Sequence, residues 1–221
     1  MPNDFTKFQE YLKRLRSIYL RSLCAFRTFD TIERLRAPNI VGKEEAHENV
    51  KTMNRFNNFF VITKHALNFY FLIELSRILD DAKQSLHLDK LINFAQSNKK
   101  KLGVSEFKKN NPDRAFLQEL VNRYEGIRED DFEKINKMLE ETKDIRVKIK
   151  NYRDQHMAHE DINKKDIIIS YDEIVKVFDL VKITLNIFSN KTDFSTTSYK
   201  QAEDACENDT KRLFEYLKNK N

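Results

Sequence analysis

The densest group of chemically active side chains in this sequence lies within seven positions and comprises Arg153, Asp154, His156 and His159. Histidine titrates closer to neutral pH than any other side chain, so it can take up or release a proton under ordinary conditions. A neighbouring guanidinium supplies a permanent positive charge and a fork of donors that suits a phosphate or another anion. Asp154 can orient a neighbouring donor. The segment therefore predicts an active site for a phosphate-containing or other anionic substrate.

The spacing alone leaves other interpretations open. An arginine followed five to seven positions later by a histidine is expected about once by chance in a chain of this composition. The histidines could simply be favoured by the dipole at a helix end, with Arg153 in a surface ion pair. His156 and His159 lie one helical turn apart, with Glu160 and Asp161 just beyond, and could also bind a metal ion. Because no further cluster of spaced ligands occurs in the sequence, we predict no metal.

A basic run leads up to this segment. Arg146 and Lys150 belong to it, and it ends at Arg153. Clustered positive charge attracts a polyanion, so RNA or another phosphate ligand is favoured over an acidic protein as the partner. We predict that Arg146, Lys150 and His156 bind the substrate. Elsewhere the net charge of +5 is modest, because acidic residues are spread along the same stretches.

The residues before the candidate site have the periodicity of a helix that could present it. Stripe positions recur in alternating steps of three and four, which is typical of the core-facing side of an amphipathic helix. These positions are Ile135, Met138, Thr142, Ile145, Ile149, Tyr152, His156 and His159. They predict one helix from about Asp130 to Ala158, with a buried side that becomes polar in its last turn.

Turn-forming residues are scarce, since the chain has three glycines and three prolines. This scarcity favours long helices over sheets, and we predict an all-α bundle of about six to seven helices. A first helix is expected from about Asp4 to Leu35 and a second from about Lys43 to Ala82. The second is apolar nearly all round between Phe59 and Leu79, as expected for a long buried central helix.

Local signals predict the remaining elements. Ser85 precedes a short helix, and Asn111-Pro112 predicts the start of another that Gly126 closes. Capping-box spacing at Ser170 and at Ser198 predicts the last two helices. Residues 167–169, a run of isoleucines without a second strand to pair with, predict an extended segment that packs on the bundle. Residues 99–111 and 189–197 are expected to be loops, and Asp80 with Asp81 is interpreted as a solvated helix end.

Length and composition predict a single domain, residues 1–221, in the cytoplasm. A chain of 221 residues can form one well-filled core and does not demand two. Cys24 and Cys206 fit no metal or redox spacing and are interpreted as thiols that are buried or have no special role, in a reducing compartment. We expect no membrane association, because there is no signal peptide and the most apolar stretch is interrupted by polar residues. The sequence has no phosphate loop or dinucleotide fingerprint, so we predict no cofactor.

The segment from Arg153 to His159 resembles the signature of the HEPN superfamily, which is an arginine, a polar residue and, after a short spacer, a histidine. Asp154 stands where the polar residue is expected. Further residues are similar to the abortive-infection AbiU-type branch, namely Tyr152-Arg153-Asp154, Ala158-His159 with Asp161, Leu75 to Asp80, and Ser85-Leu86. The resemblance covers a core of about 43–190, with flanking helices at both ends.

The resemblance implies a helical bundle that forms a homodimer and cleaves RNA without a metal. Arg153 and His159 would be the catalytic residues, with Asp154 beside them. The implied function is that of an endoribonuclease in phage defence by abortive infection, or in a toxin–antitoxin system with an antitoxin partner. Some proteins of the superfamily are not active. The alternative is therefore a non-catalytic module of the same fold that binds RNA or another protein.

Overall fold

The structure is a computed structural model that describes residues 3–82, 84–155 and 167–219. All regular secondary structure within these ranges is helical, which confirms the predicted all-α class. The ranges contain eleven α-helices, more than the six to seven predicted, because long predicted helices are divided and predicted loops are partly helical. The α-helices are α1 (Asp4–Leu35), α2 (Pro38–Val41), α3 (Lys43–Arg55), α4 (Asn57–Ile78), α5 (Leu88–Ser97), α6 (Val104–Asn110), α7 (Leu117–Arg123), α8 (Glu129–Glu141), α9 (Lys143–Arg153), α10 (Tyr171–Asp193) and α11 (Lys200–Lys218). A short 3₁₀ helix, Lys99–Leu102, follows α5. No helix in the described ranges is long and apolar enough to cross a membrane.

The chain divides into two compact units. The first comprises Met1–Tyr19 and Leu75–Thr197, and it contains the candidate site. The second comprises Leu20–Glu74 and Ser198–Asn221. The organisation of the whole chain as a single domain stays a prediction.

The core of the first unit is built around α10. Phe188 of this helix contacts Phe8 of α1, with ring centroids 5.7 Å apart, and Phe132 of α8, at 6.1 Å. The side chain of Gln9 donates a hydrogen bond to the Thr192 hydroxyl at 2.9 Å. Fully buried aromatic rings at such distances stabilise the packing through area burial and edge contacts. The packing therefore fixes α8 against α10 close to the helix that carries the candidate site.

The predicted helix from Asp130 to Ala158 is interrupted at Thr142. Ile135, Ile145 and Ile149 are buried, as the stripe predicts, but they belong to α8 and α9. Thr142 is also buried, with φ −107° and ψ 3°, and its hydroxyl donates to the Met138 carbonyl at 2.7 Å. A threonine side chain that bonds back to the preceding turn disturbs helix geometry. Residues 156–158 of the predicted helix lie outside the described residues.

The predicted helix from Lys43 to Ala82 is likewise two helices. The interruption is at Phe56, with φ −117° and ψ 37°, and α4 ends at Ile78. The prediction of a buried central helix is correct for only part of its surface. Buried residues of α4 include Phe60, which packs on Phe214 of α11 at 5.1 Å. In contrast, Phe59, Val61 and Ile62 are more than half exposed. The prediction failed for these residues because an apolar side chain favours burial, whereas the sequence does not show whether another element covers it.

The loop expected at 99–111 is mostly helical. It contains the 3₁₀ helix and α6, whose core residue Phe107 is fully buried. Asn111 does not begin a helix, since its side-chain amide donates to the Phe107 carbonyl at 2.8 Å and closes α6. The next helix begins only at Leu117, after Phe116 in a left-handed conformation with φ 56°. Asparagine is favoured at both kinds of helix end, which is why the local signal was misinterpreted.

The two predicted capping boxes have different outcomes. The Ser170 box forms: the Ser170 backbone N–H donates to Glu173 Oε2 at 2.8 Å, and the Glu173 N–H donates to Ser170 Oγ at 3.3 Å. The Ser198 box does not form, because α11 begins at Lys200 without a side-chain cap. The loop predicted at 189–197 is also partly wrong, since α10 extends to Asp193.

The isoleucine run before α10 has no regular structure over residues 167–169, in agreement with the predicted absence of a strand there. Ile168, however, is largely exposed and does not pack on the bundle. Alternate residues of an extended segment point in opposite directions, so the middle residue of three can face solvent.

Candidate active site

Arg153 is the last residue of α9, and two carboxylates hold its guanidinium. Nε donates to Asp154 Oδ1 at 2.8 Å, and Nη1 lies 3.6 Å from Asp80 Oδ1. The Arg153 side chain is 23% exposed and that of Asp80 is 22% exposed. The hydrogen bond to Asp154, with further attraction from Asp80, raises the pKa of Arg153 although partial burial opposes it. Arg153 therefore stays charged, and its position is fixed from two directions.

The helix changes its geometry immediately after Arg153. Asp154 and Gln155 are π-helical, so the α-helical pattern ends at Arg153. Single π turns inside or at the end of α-helices are frequent at functional sites. A straight α-helix would separate Arg153 and His159 by roughly 120° around its axis, and this estimate no longer applies, because the path between them is not α-helical at its start.

The basic side of α9 is paired with acidic residues that follow α4. The distances are 3.6 Å for Arg146 Nη1 to Asp89 Oδ2, 2.9 Å for Lys150 Nζ to Asp81 Oδ2, and 3.6 Å for Arg153 Nη1 to Asp80 Oδ1. The residues at 146, 150 and 153 have spacings of four and three, which place them on one side of a helix. Asp80 and Asp81 are therefore ion-pair partners of α9. The interpretation as a solvated helix end agrees with Asp81, which is 73% exposed, and does not agree with Asp80, which is 22% exposed.

The three basic residues differ in accessibility. Lys150 is 45% exposed and its partner Asp81 is 73% exposed. The hydrogen bond from Lys150 lowers the pKa of the Asp81 carboxyl. Arg146 is more enclosed: its Nη2 donates to the Leu139 carbonyl at 3.2 Å, and its Nε is buried without a hydrogen-bond partner among the described residues. Lys150 is thus open to a ligand, whereas Arg146 mainly stabilises the junction of α8 and α9.

His87 was missed as a residue of this region. It is buried and precedes α5, where its Nδ1 accepts a hydrogen bond from the Lys90 backbone N–H at 3.2 Å. Burial lowers the pKa of this histidine, although Asp89, Asp80 and Asp81 attract a proton to it. A neutral ring is required for the cap, since a protonated Nδ1 cannot accept. A histidine directly before an apolar helix was the only sequence signal for this role.

The comparisons with known proteins identify the family of the chain. The model of the AbiU2 family, a branch of HEPN, matches residues 5–213. The chain belongs to the HEPN AbiU2 family. No curated protein and no solved structure matches it. The family match extends beyond the core of 43–190 to which the sequence resemblance was traced, and includes most of α1 and α11.

Membership of the HEPN AbiU2 family makes this an abortive-infection-related HEPN chain. Two of the stretches that carry the resemblance, Leu75 to Asp80 and Tyr152-Arg153-Asp154, meet in the structure, because Asp80 Oδ1 lies 3.6 Å from Arg153 Nη1. His156 and His159 lie outside the described residues, so their predicted roles remain predictions. Among the described residues no group of three histidine, cysteine, aspartate or glutamate side chains could hold a metal ion.

Proposed function

We propose that this chain is an endoribonuclease that needs no metal ion and acts in phage defence by abortive infection, or as the toxin of a toxin–antitoxin system. The observation that carries the proposal is the state of Arg153. Its guanidinium is fixed at a helix end, stays charged and remains 23% exposed. A fixed cation in a partly enclosed position can stabilise charge that develops on a phosphoryl group.

The chemistry needs a base and a cation. A neutral His159 would take the proton of a ribose 2′-hydroxyl while that oxygen attacks the adjacent phosphorus. Arg153 would stabilise the negative charge on the non-bridging oxygens. The bond from phosphorus to the 5′-oxygen then breaks, and the leaving oxygen takes up a proton. The expected products are a cyclic 2′,3′-phosphate and a free 5′-hydroxyl.

Lys150 is the best-placed substrate-binding residue among those described. It is exposed, and its partner Asp81 is even more exposed. Exposed ion pairs contribute little free energy, so an RNA phosphate can replace Asp81 at small cost. Arg146 is expected to act indirectly, because it is bonded to the Leu139 carbonyl. His156 is proposed to contribute to binding more than to the chemistry.

We also propose that the active form is a homodimer in which a second copy completes the site. The support is the membership of the HEPN AbiU2 family, since the HEPN resemblance implies a homodimer. The angle between Arg153 and His159 on a straight helix gives no support, because Asp154 and Gln155 are π-helical. Light scattering during size exclusion is expected to give twice the chain mass of 26.4 kDa. Specific activity should fall when the protein is diluted into the monomer range. A monomer with full activity at nanomolar concentration would contradict this arrangement.

The deciding experiment incubates purified protein with mixed RNA in EDTA. The wild type and the control Lys137→Ala, which alters an exposed residue of α8, should yield fragments that end in a cyclic phosphate, detected by mass spectrometry. His159→Ala should yield none, with an unchanged helical circular dichroism spectrum. If EDTA abolishes cleavage and zinc or manganese restores it, the metal hypothesis for His156 and His159 replaces this mechanism.

The alternative function is a non-catalytic module, and two observations favour it. The cations of α9 already have carboxylate partners. In addition, Phe59, Val61 and Ile62 expose apolar surface at the start of α4, and exposed apolar surface suits a protein partner such as an antitoxin. This alternative predicts that the wild type binds RNA or a partner protein and leaves the RNA intact in the same assay.

A further inference from the structure

Asp80 lies just after the last turn of α4, and that turn is held rigidly. The last turn of α4 contains Leu75 and Ile78, both fully buried in the first unit. The Leu79 N–H donates to the Leu75 carbonyl at 3.2 Å, which prolongs the helical hydrogen bonding almost to Asp80. The Asp80 carboxylate is itself oriented, because its Oδ1 accepts a hydrogen bond from the Asp81 N–H at 2.9 Å. The carboxylate that faces Arg153 therefore has little freedom to move.

The two carboxylates engage different nitrogens of Arg153. Asp154 accepts from Nε, while Asp80 lies beside Nη1 at a distance typical of an ion pair rather than a hydrogen bond. Among the described residues no hydrogen bond uses Nη2. Because a guanidinium is planar, contacts at Nε and Nη1 fix the rotation of the whole group. Nη2 then remains available for an anion.

Asp80 and Asp154 differ in what they can contribute. Asp154 is the next residue in the chain and 48% exposed, so it moves with the helix end that it shares with Arg153. Asp80 comes from another part of the first unit and is 22% exposed. An enclosed charge is screened less by water and salt than an exposed one. The contact with Asp80 therefore fixes the Arg153 guanidinium relative to another segment of the first unit.

We infer that Asp80 is a positioning residue for Arg153, which it holds so that Nη2 faces the scissile phosphate. This inference rests on the proposed endoribonuclease function and deepens it. Asp80 takes no part in proton transfer, because it contacts the cation and not the reacting atoms. Its removal should slow the chemical step more than it weakens RNA binding, since a displaced catalytic group costs on the order of a hundredfold in rate.

The test compares four proteins on one RNA substrate: wild type, Asp80→Asn, Asp80→Glu and the control Asp209→Asn. Asp209 also faces an arginine, Arg212, at 3.7 Å, but that pair lies within α11 and is 77–79% exposed. Asp80→Asn should lower kcat about ten- to a hundredfold with KM unchanged within about twofold. Asp80→Glu restores the charge and should recover part of the rate. Asp209→Asn should match the wild type in kcat, KM and Tm.

A second measurement reports on the contact without requiring activity. Phenylglyoxal modifies accessible guanidinium groups, and peptide mass spectrometry gives the rate at Arg153. Asp80→Asn should raise that rate severalfold, whereas Asp209→Asn should leave it unchanged. An unchanged rate at Arg153 in Asp80→Asn, or a wild-type kcat in that variant, overturns the inference. If the wild type cleaves no RNA, the proposed function fails along with any catalytic consequence of Asp80, while the phenylglyoxal rates still decide whether Asp80 holds Arg153.

Discussion

Two arginine–aspartate pairs in this chain have nearly the same geometry and very different surroundings. The distance from Nη1 of the arginine to Oδ1 of the aspartate is 3.6 Å for Arg153 and Asp80. It is 3.7 Å for Arg212 and Asp209. The first pair joins two separate segments and is 22–23% exposed, whereas the second lies within one helix and is 77–79% exposed. Distance alone therefore does not identify a functional contact. Enclosure and the linking of separate segments distinguish the pair at the candidate site.

The largest expected difference between the pairs is in RNA cleavage. Arg153→Ala removes the cation proposed to stabilise the phosphoryl charge and should lower kcat by about a hundred- to a thousandfold. Arg212→Ala should leave kcat unchanged and alter the free energy of unfolding by less than about 0.5 kcal/mol. The measurements are initial cleavage rates and thermal unfolding of both variants. A cleavage rate at the wild-type level in Arg153→Ala would refute the catalytic assignment.

A smaller loss of kcat is expected when the positive charge at position 153 is kept and only the forked guanidinium group is removed. Arg153→Lys retains a cation but cannot hold Asp80 and Asp154 while it contacts a phosphate. We expect kcat to fall by at least about tenfold, less than in the alanine variant. Arg212→Lys is the control. Equal rates for Arg153→Lys and the wild type would mean that charge alone is sufficient there.

Acid should destabilise the protein through His87, whose ring interacts with Asp80 of the first pair. His87 has a lowered pKa in the folded protein, mainly through burial, so the unfolded chain binds a proton first as the pH falls. The contribution of His87 to stability is therefore complete above its ordinary pKa of about 6.5 and is lost as the pH falls through the lower folded pKa.

The measurement for His87 is Tm at about pH 7.5 and at about pH 5.5. The Tm of the wild type should be lower at the lower pH. His87→Asn keeps an acceptor for the Lys90 N–H and cannot be protonated, so it should lose less. An equal decrease in both proteins would assign the effect to other titrating groups.

The smallest effect is expected at the exposed pair of Lys150 and Asp81. Asp81→Asn releases Lys150 for RNA and should tighten binding by less than about fivefold. Lys150→Ala should weaken binding by a similarly small factor. Neither variant should change kcat. Filter binding at a fixed salt concentration measures the two dissociation constants, and a large decrease in kcat for Asp81→Asn would remove the distinction between Asp80 and Asp81.

Strong local signals made part of the fold predictable. α1 begins and ends at the predicted residues, Asp4 and Leu35, and the Ser170 capping box opens α10. The interruptions at Phe56 and Thr142 could not be predicted, because neither glycine nor proline marks them and the apolar pattern continues through both. These breaks depend on packing between elements, which the local sequence does not specify.

The candidate site was predictable only in its own segment. Arg153 and Asp154 stand out through residue type and spacing, and they lie within the residues 5–213 that the family model matches. The role of Asp80 was not predictable, because a solvated helix end and an ion-pair partner have the same local sequence. Its contact with Arg153 joins residues far apart in the chain, and only the tertiary structure brings them together.

The pairing of each cation on α9 with a carboxylate has a thermodynamic consequence for how RNA would bind. A polyanion usually gains affinity by releasing the small ions condensed on it into solution, which makes binding fall steeply with ionic strength. Here Lys150 would exchange Asp81 for a phosphate, and the freed carboxylate would in turn attract cations from solution. Arg153 would keep its carboxylates while it contacts a phosphate, so their charge would continue to offset its own. The logarithm of the affinity should therefore fall less steeply with the logarithm of the salt concentration than the number of phosphate contacts implies.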